Sequence, residues 1–330
     1  MDDKLIGFVT TEYRIGKWKI APIDILLLCA TLVFGILLRS KVWKVDAIHD
    51  TDIAVTGMYQ QTMLAVSIIA DAAVSVICGV FVYSLTGSRI RAFITPAIIF
   101  LSPAMAIGSA MAKSGDGVFL SLMLMAVLLF SKRKYTLSAV SFILSLAAYF
   151  TIIRFSPWYE EIYKAGRLLS YDFPNLYQII GADAFVDEYT KAGYALTAAV
   201  VTGLGIWAYN ALYKGPKEKE SPSGFEKKVV MAALVFSWAI TYIMPGMDER
   251  SGMISLCLVL IFVIARPRYY YIAISEEIVM FLPWAAFFRG ESFFPLSAAA
   301  LIQLFIIMVF SFNILPDEDF YQHGESKQQG

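Results

Sequence analysis

Apolar segments of nearly membrane-spanning length recur along the whole chain, and this feature restricts its possible folds most. A spanning helix needs about 20 mostly apolar residues. Ten segments approach that length, and we predict helices at 21–39, 62–85, 92–111, 117–131, 136–153, 192–213, 229–246, 251–265, 269–288 and 294–315. The chain is 58% hydrophobic and only 16% charged, whereas soluble domains carry about 25% charged residues. We therefore expect an all-α integral membrane protein with about ten transmembrane helices.

The basic residues of the short connections predict the orientation of this bundle. Cytoplasmic loops carry an excess of Lys and Arg, and the connections SRIR, SKRK and RPR all fall on one side of the predicted membrane. That side also holds both termini, so we expect a cytoplasmic or interfacial segment at 1–20, a transmembrane domain at 21–315 and a disordered cytoplasmic tail at 316–330. The predicted outer loops are 40–61, 112–116, 154–191, 247–250 and 289–293, and a polar inner linker is expected at 214–228.

Charge and motif content exclude several classes of function. The 27 basic and 27 acidic residues cancel, and bulk nucleic-acid binding needs a basic excess. The three cysteines lie in apolar segments without metal-ligand spacing, and two histidines are too few for a His-based metal site. No nucleophile-elbow, P-loop, zinc-protease or dinucleotide-binding motif is present. Soluble nucleotide-dependent chemistry is therefore not expected.

Acidic residues gather in the predicted outer connections. Asp46, Asp50 and Asp52 lie in the first outer loop, and Asp116 lies at the mouth of the fourth predicted helix. Asp248 and Glu249 lie in a later connection, MPGMDERSG. Neighbouring carboxylates can act as a base or coordinate a hard cation. The alternative is that exposed loops carry charge for solubility alone.

Two further charged residues are candidates for a site. Asp71 lies well inside the second predicted helix, where an acid must face the bundle interior or a wet cavity. It is either a site or relay residue or a structural interhelical partner. Arg250 follows Pro245 and Gly246, where a helix should end, and a guanidinium at the membrane surface suits a phosphate. An ion pair with Asp248 or Glu249 is the alternative.

Several motifs occur in the order found in a known membrane family. Pro103 and Ser109 lie in an apolar helix, and the turn Ser114-Gly115-Asp116 follows it. A basic connection, SKRK, an aromatic-Asn-aromatic segment around Asn175 and the Glu249-Arg250 pair come later. This order resembles the polytopic GT-C glycosyltransferases, in particular bacterial mannosyltransferase-like enzymes that use polyprenyl-phosphate-linked sugars. The resemblance covers most of residues 30–265.

The resemblance implies an active site at the outer face of a GT-C-like bundle in the cytoplasmic (plasma) membrane of a bacterium. Asp50, or its neighbours Asp46 and Asp52, would be the general base toward a glycan or lipid-linked acceptor. Arg250 would stabilise the departing lipid phosphate. Other candidate residues are Lys113 and Arg154 for the donor phosphate, and Asp116, Glu249, Asp248, Asn175 and Asp71 elsewhere in the site. A divalent cation, Mg or Mn, on Asp46, Asp50 and Asp116 is left open.

The chain also departs from this family. The first outer loop is short, Asp248 replaces the family's His, and Ser251 replaces its Tyr. These departures keep two alternatives open. One is a transporter or flippase for a lipid-linked saccharide, although the sequence shows no Gly/Pro-broken helix pair in matching halves. The other is a catalytically silent subunit of a polysaccharide assembly complex, for which a partner subunit is expected.

Overall fold

The computed structural model describes residues 10–15, 18–42, 57–111, 116–155, 169–170, 173–181, 186–213, 222–248, 250–289 and 292–318. The helices are α1 (Pro22–Val42), α2 (Gly57–Thr86), α3 (Arg89–Phe100), α4 (Pro103–Met111), α5 (Asp116–Ser131), α6 (Tyr135–Phe155), α7 (Leu176–Ile180), α8 (Val186–Tyr213), α9 (Pro222–Ile243), α10 (Met253–Ala265), α11 (Tyr270–Arg289) and α12 (Leu296–Val309). A 3₁₀ turn at Pro267–Tyr269 precedes α11, and α12 continues through a π-helical turn at Phe310–Ile314 into a final turn at Leu315–Asp317. Two short strands, β1 (Tyr13–Ile15) and β2 (Trp18–Ile20), pair antiparallel before α1.

The apolar helices agree with the predicted class of membrane protein. Within the described residues, four segments are long and apolar enough to cross a membrane: Pro22–Ser40, Leu64–Thr86, Val186–Tyr213 and Leu296–Asp317. Further apolar helices at Asp116–Ser131, Tyr135–Thr151 and Met253–Ala265 are shorter. The helical architecture is therefore confirmed, whereas ten membrane crossings and cytoplasmic termini remain predictions.

Large apolar side chains cover much of the outer surface of these helices. Leu26 and Phe34 on α1, Phe150 on α6, and Phe305 and Phe312 at the end of the chain are each more than half exposed. Soluble monomers rarely expose contiguous apolar surface of this extent. A lipid environment covers such a surface without cost, because no polar group has to be desolvated.

The central element of the bundle is α10. It has 13 residues, and almost all of its side chains are buried. Helix α10 packs against α2, α3, α9 and α11, because a helix that is apolar on every side must be surrounded by others. Aromatic rings fill the space beside it: the ring centroids of Phe262 and Phe310 lie 5.2 Å apart, as do those of Trp238 and Phe310.

The predicted helix at 92–111 is broken into two helices. Helix α3 ends at Phe100 and α4 begins at Pro103. Proline has no N–H to donate and disfavours the helical conformation at the residue before it, which favours a break at Ser102 over one continuous helix. The continuous helix that the apolar run predicts is wrong at this point.

Two segments predicted to be polar and irregular are partly ordered. Helix α9 begins at Pro222, inside the predicted linker 214–228, and buries Phe225 and Glu226. The predicted disordered tail 316–330 begins with helical residues, and Glu318 is buried among basic side chains. Both predictions were wrong for these residues because local charge was taken as a sign of solvent exposure, whereas the charges are paired inside the bundle.

Candidate functional site

A cavity lies where two predicted outer connections meet the bundle. It is small and partly open, with a cavity volume of about 30 Å³. Three charged residues from different elements line it: Asp71 from α2, Asp116 from the start of α5, and Arg250 from the turn before α10. Apolar side chains complete the wall, including Met105 of α4 and Trp284 of α11. Three of the sequence-predicted site residues are therefore brought together.

A tight turn between α9 and α10 positions Arg250. The turn passes through Gly246, whose φ of 77° suits a residue without a Cβ. The Asp248 Oδ1 accepts hydrogen bonds from the Arg250 backbone N–H at 3.2 Å and from the Ser251 hydroxyl at 2.8 Å. These contacts hold the turn in shape, so that the Arg250 side chain points into the bundle and is only 8% exposed.

The Arg250 guanidinium lies between two carboxylates. Its Nε is 3.6 Å from the Asp116 Oδ2 and 3.8 Å from the Asp248 Oδ2. The predicted pairing of Arg250 with Asp248 is confirmed, and Asp116 is a second partner from another helix. Both distances exceed those of a charge-assisted hydrogen bond, which are about 2.7–2.9 Å. These two Nε contacts are therefore ion pairs at longer range.

Close packing of α5 on α2 places Asp116 beside Asp71. A Cβ added to Gly117 would lie 2.9 Å from the Ala70 Cβ and 3.0 Å from the Asp71 Oδ1. Only glycine allows this approach, because a side chain would force the two helices apart. Asp116 is the first residue of α5, where the positive end of the helix dipole stabilises a carboxylate.

Asp71 forms a buried ion pair with Arg39. The Arg39 Nη2 donates to the Asp71 Oδ2 at 2.8 Å, and its Nε donates to the same oxygen at 3.2 Å. Arg39 lies at the end of the first predicted span, and its side chain is fully buried. The alternative of a structural interhelical partner is therefore confirmed for Asp71, and Asp71 also lines the cavity.

The helix break between α3 and α4 is stabilised by charged side chains at both of its ends. Arg39 Nη1 donates to the Phe100 carbonyl at 3.0 Å, at the negative end of the α3 dipole. The Glu277 Oε1 accepts from the Ala104 N–H at 2.9 Å and from the Ser102 hydroxyl at 2.9 Å, at the positive end of α4. Each charge has the sign that the helix dipole favours. These contacts stabilise the break, and α4, the helix that follows it, lines the cavity.

Sequence reasoning missed a second buried acid, Glu276 on α11. Its Oε1 accepts from the Trp238 Nε1 and from the Ser255 hydroxyl, each at 2.9 Å, and Gln303 is a further hydrogen-bond partner. The side chain is fully buried. The sequence signal was the pair Glu276-Glu277 inside an apolar helix, which indicates polar groups facing the bundle interior.

Other predicted site residues lie elsewhere or outside the described part of the chain. Asn175 is the N-cap of α7, where its Oδ1 accepts from the Tyr177 N–H at 3.1 Å, and it does not line the cavity. Helix α6 contains Arg154, whose side chain is outside the described part. The residues outside the described ranges are Asp46, Asp50, Asp52, Lys113 and Glu249.

The cavity offers the chemistry of anion binding beside acid–base groups. A guanidinium can bind a phosphate through two parallel hydrogen bonds, and Asp116 can accept a proton from a nearby hydroxyl. Within the described ranges, no three Asp, Glu, His or Cys residues form a group that could hold a metal ion. Arg250 lies between Asp116 and Asp248 and already supplies the positive charge there. This pair of carboxylates therefore does not fit a divalent cation.

Comparisons with protein-family models, with curated proteins and with solved structures found no match to this chain.

Proposed function

We propose that the chain is a membrane glycosyltransferase that moves a sugar from a polyprenyl-phosphate donor to an acceptor hydroxyl at the outer membrane surface, in the assembly of a cell-surface glycan. The observation that supports this proposal best is the position of Arg250, a nearly buried guanidinium beside two carboxylates in the wall of a cavity. The order of sequence motifs supports the same reaction. We further propose the cytoplasmic membrane of a bacterium as its location.

The proposed reaction uses Arg250 and one carboxylate in different roles. The acceptor oxygen forms a bond to the anomeric carbon of the sugar, and the bond from that carbon to the phosphate oxygen breaks with its electron pair going to the phosphate. Arg250 stabilises the charge that develops on the phosphate. Asp116, which lies within the cavity, takes the acceptor proton; Asp50 in the first outer loop is the alternative base that the family resemblance implies.

Release of polyprenyl phosphate by the purified full chain tests this proposal. The protein in lipid nanodiscs is incubated with a panel of polyprenyl-phosphate sugars and a mixture of acceptor glycans. For Arg250→Gln we expect a loss of about 10²–10³-fold, since it removes electrostatic stabilisation of the leaving group. We expect Arg250→Lys to be intermediate, because lysine keeps the charge and loses the paired hydrogen bonds.

Substitution of the carboxylates identifies the base. Asp116→Asn should lower the rate by about 10²–10⁴-fold if it takes the proton, and Asp50→Asn should do so if the loop residue has that role. Asp187→Asn is the matched control, since Asp187 is an exposed acid at the start of α8. No release by folded wild-type protein from any donor would contradict the proposal.

The helix break favours one second candidate, a transporter or flippase for a lipid-linked saccharide. Discontinuous helices commonly form the substrate sites of membrane transporters, and here α4, one half of a broken helix, lines the cavity. Movement of a fluorescent lipid-linked saccharide across a vesicle membrane, without cleavage of its phosphate bond, would favour this candidate. A folded protein inactive in both assays would point to the silent subunit of an assembly complex.

A further inference from the structure

A second cavity lies at the opposite end of α10 from the candidate site. Its volume is about 210 Å³, and it is partly open to the surroundings. Met253, at the start of α10, lines the first cavity, whereas Ala265, at its end, lines the second. Apolar side chains of α2, α9 and α10 line this second cavity. Lys227 and Arg266 are its two cationic lining residues. The cavity is therefore amphipathic.

Three basic residues, two of which line this cavity, hold one carboxylate of the chain itself. We call Lys227, Arg266 and Arg268 the basic cradle. The Lys227 Nζ lies 2.6 Å from the Glu318 Oε2, and the Arg266 Nε donates to the same oxygen at 2.9 Å. Arg268 donates to the Glu318 Oε1. The basic cradle therefore already binds one anion, the Glu318 carboxylate.

Among the described residues, positive charge exceeds negative charge around the cradle. The three cations of the cradle face two carboxylates, those of Asp317 and Glu318, and Asp317 lies 2.8 Å from the Arg268 Nη2. A fourth cation, Arg91, donates to the Ala265 carbonyl at 3.1 Å and lies at the same end of α10. The surplus of cations beside an apolar cavity suits a ligand that has an anionic head and an apolar body.

We propose that the basic cradle and its cavity bind an anionic phospholipid, with the phosphate on Lys227 and Arg266 in competition with the Glu318 carboxylate. Basic pockets between membrane helices on the cytoplasmic side bind anionic headgroups, and the predicted orientation assigns this end to that side. The apolar residues of the cavity receive the upper part of an acyl chain. This site is independent of the proposed sugar transfer at the other end of α10.

Native mass spectrometry of the full chain in detergent tests the site. The protein is titrated with phosphatidylglycerol and, separately, with phosphatidylcholine that carries the same acyl chains. We expect preferential binding of phosphatidylglycerol. The double variant Lys227→Gln/Arg266→Gln should weaken that binding by about 25-fold, or about fivefold for each cation removed. The control Lys191→Gln, which changes an exposed lysine of α8, should leave it unchanged.

Glu318→Gln is the variant that separates a binding site from a merely structural contact. It removes the competing carboxylate and keeps all three cations, so phosphatidylglycerol should bind several-fold more tightly. This variant also carries the test if the double variant does not fold. Equal binding of the two lipids, unchanged binding by a folded double variant, or weaker binding by Glu318→Gln would overturn the proposal. If inorganic phosphate at an equal concentration displaced the lipid, the ligand of the site would be a phosphate group and not a phospholipid.

Discussion

Two buried carboxylates in this bundle are stabilised in different ways. Asp71 on α2 receives two hydrogen bonds from one guanidinium, that of Arg39, on a single oxygen. Glu276 on α11 receives neutral donors, the Trp238 indole and the Ser255 hydroxyl, again on a single oxygen. Both side chains are almost completely buried. The environment of Asp71 requires a negative charge to balance Arg39. At Glu276, by contrast, the two partners named here are neutral hydrogen-bond donors.

This difference shows that burial and position in a helix do not define the role of an intramembrane acid. Each acid links helices that are distant in the chain: Asp71 links α2 to α1, and Glu276 links α11 to α9 and α10. When one partner of a buried ion pair is neutralised, the other is left as an uncompensated buried charge. An acid held by neutral donors should tolerate replacement by an amide of the same shape, because the amide oxygen still accepts the hydrogen bonds.

The largest expected effect is that of Asp71→Asn. It preserves the shape of the side chain and removes the carboxylate that pairs with the fully buried Arg39 guanidinium. We expect a loss of about 3–5 kcal/mol in the free energy of unfolding, the range for breaking a buried ion pair. Unfolding in mixed detergent micelles measures it. A change below about 1 kcal/mol would show that the ion pair is not the main stabilising contact of Asp71.

The double variant Arg39→Met/Asp71→Leu sharpens this result. Removing both charges leaves no unpaired ion, so it should recover most of the stability that Asp71→Asn loses. Recovery should be incomplete, because the Phe100 carbonyl loses the hydrogen bond from Arg39, worth about 0.5–1.5 kcal/mol. The same unfolding experiment on both single variants and the double variant gives the coupling energy. Additive losses would contradict the pairing.

At Glu276 the expected effects are smaller and depend on the substitution. Glu276→Gln keeps an acceptor for Trp238 and Ser255, and its new N–H₂ group offers a donor to the Gln303 Oε1, which has no hydrogen-bond partner in the described structure. We expect a change of less than about 1 kcal/mol. Glu276→Leu leaves the Trp238 N–H without an acceptor and should cost about 1–3 kcal/mol. A loss for Gln as large as that for Leu would indicate that the negative charge itself is required.

A pH-dependent effect is expected at Glu318, which pairs with cations as Asp71 does but lies at the end of the bundle, where solvent screens such pairs. Burial raises its pKa, and the hydrogen bonds from Lys227 and Arg266 outweigh that effect, so the pKa falls to about 2 from the ordinary value of 4.5. A lowered pKa stabilises the fold above pH 4.5, and this stabilisation is lost as the pH falls toward 2. The thermal midpoint of wild type should therefore exceed that of Glu318→Gln at pH 6, and the difference should shrink between pH 4.5 and 2.

The sequence predicted helices well where apolar length alone determines them. The predicted helix at 117–131 is α5, at Asp116–Ser131, and the predicted helix at 251–265 is α10, at Met253–Ala265. It failed at 92–111, because apolar composition does not reveal where a proline and two distant charges will end a helix. Arg39 and Glu277, which cap that break, are separated from it by about 60 and 175 residues of chain.

The candidate site was predicted in part. Asp116, Arg250 and Asp71 were each selected from the sequence, and the cavity that joins them depends on the close contact at Gly117, which no periodicity predicts. Asp71 was recognised as an intramembrane acid, but its partner was not, since Arg39 follows an apolar run and resembles an ordinary flanking cation. Glu276 was left out of the site because its donors come from three separate segments.

The shortness of α10 has a consequence for how the protein sits in a bilayer. Thirteen residues span about 20 Å at 1.5 Å per residue, whereas the hydrocarbon layer is about 30 Å thick. With α10 placed across the bilayer, we expect its two ends to draw polar groups inward or to thin the bilayer locally. Such hydrophobic mismatch costs fractions of a kcal/mol per ångström. Acyl-chain length in the surrounding membrane thus acts on both cavities at once.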